Sequence, residues 1–89
     1  MARKFTRLRS VRKSYAEQGL IFFTCLSYSS QPKNIQEKIC RLCQTAGGEY
    51  ESALFEYLTT SADWLDVTMR YHLSDRTLER CQNKFYSLW

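Results

Sequence analysis

From residue 33 onward the apolar side chains recur at three- and four-residue intervals, the repeat of helices packed on one face. Ile35, Ile39, Leu42, Cys43 and Ala46 fall at i, i+4, i+7, i+8 and i+11, which predicts an amphipathic helix over 33–46. Gly47 and Gly48 are placed to terminate it as a glycine C-cap. Tyr50, Ala53, Leu54, Tyr57 and Leu58 form a second stripe, broken at Thr59-Thr60-Ser61. A short helix is expected over 62–71, with Leu65 and Tyr71 inward beside Val67 or Thr68 and Trp64 either core or flanking. The last stripe is Leu78, Cys81, Phe85 and Leu88, preceded by Ser74 as N-cap and by Asp75 at the positive end of the helix dipole.

The first third is harder to read. Residues 1–4 carry no pattern and are expected to lack fixed structure. Phe5, Leu8, Val11 and Tyr15 suit one helical stripe, which Gly19 weakens or bends. The aromatic and β-branched run over 20–28 allows a buried strand or a buried helix. No second strand-like run exists to satisfy a lone strand's backbone, so a helix is preferred. Ser29 to Pro32 reads as a turn, with Pro32 near the next helix start. The fold expected is all-α: one small domain of four to five helices, with a helix-turn-helix over 62–89.

Charge changes this picture more than composition does. Residues 1–14 hold Arg3, Lys4, Arg7, Arg9, Arg12 and Lys13 and no acid, whereas the remainder carries seven cations against nine acids. The basic character therefore belongs to an N-terminal arm, suited to nucleic acid first and an anionic membrane surface second, or else simply solvated. The four cysteines would suit a disulfide framework only in a secreted chain. No secretion signal is legible: Glu17 and Gln18 interrupt the start, and the apolar run is too short to span a membrane. Reduced thiols and a cytoplasmic location are expected.

At 89 residues the chain leaves little room for both a core and a deep catalytic cleft. No catalytic set converges on His72, the one histidine, and no glycine-rich phosphate loop is present, so no enzyme is expected. Cys40-x-x-Cys43 has zinc-ligand spacing, but Cys43 lies on a helical apolar stripe rather than a knuckle, and no metal or other cofactor is expected. Glu49, Glu51 and Glu56 read as a solvated face, and Tyr50, Tyr57, Phe85 and Tyr86 as packing residues.

Two short helices, a tight turn, and a second helix opened by serine form the helix-turn-helix pattern. Over residues 67–80 the chain resembles region four of bacterial sigma factors and the related small regulators of phages and mobile elements. Their usual run is Ile-Ala, three variable residues, Gly, an aliphatic, Ser, two variable residues, Thr and an aliphatic. Val67 and Thr68 stand in register with the first pair, and Leu73, Ser74, Thr77 and Leu78 with the second half. More loosely the resemblance extends over 33–89. Thr68 replaces the usual Ala and His72 the usual Gly, so either His72 adopts a positive φ or the turn differs.

The resemblance implies sequence-specific binding of double-stranded DNA by a bacterial or phage transcription regulator, with a recognition helix over 74–88. Asp75, Arg76, Glu79, Arg80 and Asn83 are the candidates for base edges, since Arg suits guanine, Asn adenine and Glu cytosine. Arg70, Thr77 and Lys84 are candidates for phosphates, and Ser74 for the cap that orients the helix. Without the other sigma regions, no promoter opening by this chain alone is expected. RNA polymerase is a further expected partner, and Tyr86 and Trp89, read as exposed, offer a surface for it or for a homodimer. The alternative is a helical protein-interaction module without direct DNA binding.

Overall fold

A computed structural model describes residues 5–89, so the reading of residues 1–4, Arg3 and Lys4 included, lies outside the described residues. Among the described residues there are five α-helices and no strand. They are α1 (Tyr15–Leu26), α2 (Lys33–Gly47), α3 (Glu51–Thr59), α4 (Trp64–Arg70) and α5 (Asp75–Leu88). Single 3₁₀ turns at Tyr28–Ser30 and Gly48–Tyr50 join the first three helices.

The centre is α2, which packs chiefly against α3 and α5. Its predicted stripe holds: Ile39, Cys43 and Ala46 are buried, with Ile35 and Leu42 packed at the rim. Gly48 ends it at φ +55°, and a side chain there would meet open space, so the backbone conformation is what requires glycine. Ala53, Leu54 and Leu58 of α3, Val67 of α4, and Leu78, Cys81 and Phe85 of α5 close the same core.

Four expectations are corrected. The stripe begun at Phe5 is not a helix before Tyr15, because a capping box starts α1 there. The Ser14 hydroxyl accepts from Glu17 N–H at 3.1 Å, and the Glu17 carboxylate accepts from Ser14 N–H at 3.3 Å. The segment 20–28 is helical through Leu26, but it is not buried all round: Ile21, Phe22 and Cys25 face the core, while Leu20 and Phe23 are exposed. On α4 it is Val67 and Thr68 that turn inward, leaving Leu65 exposed. On α5 the buried set is completed by Tyr86, at 1% exposure, rather than Leu88, at 45%. The shift to Tyr86 follows from α5 lying against both α2 and α3, which buries a face wider than one stripe.

Gly19 does not interrupt α1. Among the described residues no helix is long and apolar enough to cross a membrane.

Candidate nucleic-acid interface

The link between α4 and α5 is fixed by backbone hydrogen bonds. Leu73 N–H donates to Thr68 C=O at 3.0 Å and His72 N–H to Met69 C=O at 3.4 Å. This is the Schellman arrangement, and it places His72 in the left-handed region at φ +55°. The imidazole is exposed, so the strained residue costs backbone energy without disturbing packing. Thr68, buried where the helix turns back, directs its hydroxyl to Leu65 C=O at 3.0 Å and leaves no polar atom stranded.

Ser74 then caps α5, its hydroxyl accepting from Thr77 N–H at 3.1 Å and lying 2.8 Å from the Thr77 hydroxyl. Across the turn, Trp64 Nε1 donates to Asp75 Oδ1 at 2.9 Å, and the Trp64 ring meets Tyr57 edge to face. Trp64 is therefore a flanking aromatic that ties the start of α4 to the start of α5.

The core face of α5 fixes its outward face. Arg76, Arg80 and Lys84 succeed one another at i, i+4 and i+8 and are exposed, with Asn83 beside them half-buried. Glu79 is also exposed, toward the flank of this row. Asn83 Nδ2 donates to Ser10 Oγ at 3.3 Å, which leaves the amide a second N–H and its carbonyl oxygen. Of the remaining candidates, Asp75 is engaged by Trp64, and Thr77 is half-buried against the Ser74 cap.

Arg70 does not stand free beside this row. It forms an ion pair with Glu56, whose second oxygen accepts from the Tyr71 hydroxyl at 3.0 Å. That hydrogen bond and partial burial raise the Tyr71 phenol above its ordinary pKa. The reading of Glu56 as a solvated carboxylate is thereby corrected: a short α4 is tied to α3 through it.

Tyr86, expected both as a packing residue and as part of an exposed aromatic surface, is buried and packs. Trp89 is half-buried on Phe85, with the Lys38 ammonium 4.1 Å above its ring. The proposed aromatic surface at the end of α5 is therefore reduced to a half-buried Trp89.

All four cysteines are thiols. Cys43 lies in the core, where burial and neighbouring thiols push it up to about 12, so it holds its proton at neutral pH. Cys40 points elsewhere, 3.4 Å from the Tyr28 hydroxyl. Among the described residues no three His, Cys, Asp or Glu side chains converge as metal ligands.

The N-terminal segment is where the sequence reading missed most. Gln18 is fully buried, and its amide binds four backbone groups of residues 8–13. Oε1 accepts from Leu8 N–H at 2.7 Å, and Nε2 lies 3.2, 3.4 and 3.0 Å from the carbonyls of Leu8, Val11 and Lys13. Val11 is buried, and Phe5 packs on Tyr15 and Phe22 with ring centroids 5.2 and 5.3 Å apart. Residues 5–14 are thus a fixed non-helical strap over α1. Ser14-x-x-Glu17 was a legible signal for the true helix start. Nothing in sequence marked Gln18 as buried.

Comparison with protein-family models, with curated proteins and with solved structures finds no match.

Proposed function

We propose that this chain is a sequence-specific DNA-binding transcription regulator of a bacterium or phage, acting in the cytoplasm and reading the major groove with α5. One observation carries the reading: a Schellman turn followed by a serine-capped helix whose buried face leaves Arg76, Arg80, Asn83 and Lys84 outward together. A helix so held can enter a groove without disturbing the core.

On this reading Arg76 and Arg80 contact guanine, Asn83 adenine and Glu79 cytosine, while Lys84 and Thr77 position the helix on phosphates. Asp75 and Ser74 act chiefly by orienting the helix start, and Arg70 reaches phosphate only by leaving Glu56. The chain works by binding and needs no cofactor. A homodimer or RNA polymerase adds to the affinity of the single chain.

The test is fluorescence anisotropy on a duplex selected from a random pool, comparing the full chain with Arg76→Ala/Arg80→Ala. The expected result is loss of selectivity by tenfold or more, since each bidentate contact is worth about 1–3 kcal/mol. Equal affinity and selectivity in the two proteins would overturn the reading.

A second reading is a protein-interaction module or RNA polymerase-binding factor without direct DNA contact. It is favoured by Leu65 and Met69, neighbours on α4 that are 63% and 66% exposed. Retained DNA selectivity after Leu65→Ser/Met69→Ser would separate such a surface from the DNA face.

A further inference from the structure

On the DNA-binding reading, α5 by itself is a poor polyanion ligand. Its outward cations Arg76, Arg80 and Lys84 are nearly offset by Asp75 and Glu79 on the same helix. Most nonspecific affinity for duplex DNA comes from neutralising phosphates and releasing their counterions, and an excess of one charge supplies little of it. Residues 5–14 carry a larger excess, holding Arg7, Arg9, Arg12 and Lys13 and no acid. Arg7, Arg9 and Arg12 are exposed. The nearest acid in sequence, Glu17, is turned onto the Ser14 cap, which holds its carboxyl below the ordinary range.

The position of this segment is set by the fold. The buried Gln18 amide fixes the backbone from Leu8 to Lys13, and Val11 pins it to the core. Its turn then meets the outward face of α5, where Asn83 donates to Ser10. Ser10 sits next to Arg9 in sequence, and Asn83 next to Lys84. The strap and the recognition helix therefore touch at this point.

We infer that residues 5–14 are a fixed second contact to the phosphate backbone of the duplex that α5 reads, carried by Arg7, Arg9 and Arg12. This inference rests on the DNA-binding reading and adds a division of labour. The helix supplies base selectivity, and the strap supplies most of the salt-dependent affinity. Because its backbone is pinned, the strap contacts phosphates at a set distance from the bases read by α5, unlike a tethered polycation that samples many.

The experiment compares the full chain with Arg7→Gln/Arg9→Gln/Arg12→Gln on a selected duplex, across a salt series and by hydroxyl-radical footprinting. All three side chains are exposed, so an unchanged thermal midpoint serves as the folding control. The expected result is a slope of log affinity against log salt shallower by about 2–3, at about 0.9 per phosphate. Base preference should be unchanged, and protection should disappear at one discrete cluster of phosphates beside the α5 footprint. An unchanged salt slope overturns the inference and points the arginines at a membrane or an acidic protein surface. A shallower slope with protection thinned evenly along the duplex also overturns it, since that is the mark of an unfixed tail. Either result with an intact Arg76/Arg80 effect leaves the DNA-binding reading standing, whereas no binding by the unmodified chain at low salt removes both.

Discussion

Residues 5–14 and α5 meet at the hydrogen bond from Asn83 to Ser10, and they are held in shape by opposite means. The helix is held by repetition. Each residue adds a backbone hydrogen bond, and every third or fourth side chain enters the core, so its shape rests on the core as a whole. The strap has no repeating bond. Its shape depends chiefly on one amide, Gln18, which reaches four backbone groups, of which, among the described residues, the Leu8 carbonyl alone has a further backbone partner, Val11 N–H at 3.4 Å. The difference teaches where this molecule is vulnerable: α5 fails with the whole core, and the strap can fail alone.

The largest expected effect tests the first half of that comparison. Phe85→Ala removes a fully buried ring of α5 and should cost about 3–5 kcal/mol in urea unfolding, with all helices lost in one transition. Gln18→Ala tests the other half. It should cost about 2 kcal/mol, because some of the freed backbone groups can find water. Trypsin cleavage after Arg9 and Arg12 should speed up while amide protection in α5 persists. Loss of α5 protection in step with the strap would break the comparison.

Smaller changes sharpen it. Ser74→Ala should cost about 1 kcal/mol and loosen the first turn of α5 in hydrogen exchange, leaving the strap unchanged. His72→Gly should stabilise by about 0.5 kcal/mol, since it relieves a left-handed residue but gives the unfolded chain more freedom. The smallest effect is on pH. Serine opens both helices, but Ser14 shares its cap with a carboxylate, and Ser74 shares its own with Thr77. The Glu17 pKa is depressed when folded, so its contribution is present above the unfolded value of 4.5 and is lost as pH falls through the lower folded one. Amide shifts of Ser14 and Glu17 should therefore titrate in acid.

The helical part of this protein was legible because its information is periodic. The stripe Ile39-Cys43-Ala46 and the pair Leu78-Phe85 identify their own buried faces with no knowledge of the partner. Caps are equally local: Ser74 announced α5, Gly48 ended α2, and the non-glycine residue at the turn, His72, did take the positive φ. The all-α class, the termini of α2 and α5 and the outward row Arg76-Arg80-Lys84 follow from such signals.

Tertiary structure alone decided the rest, because each remaining feature depends on a partner distant in sequence. Phe5, Leu8 and Val11 have helical spacing, yet their segment is irregular because Gln18 offers its backbone a buried partner. Tyr86 is buried and Leu88 exposed because α5 faces two helices at once. Glu56 is committed because α4 brings Arg70 and Tyr71 to it. A one-dimensional pattern can say that a residue belongs to a face. It takes the packing of helices to say what that face meets.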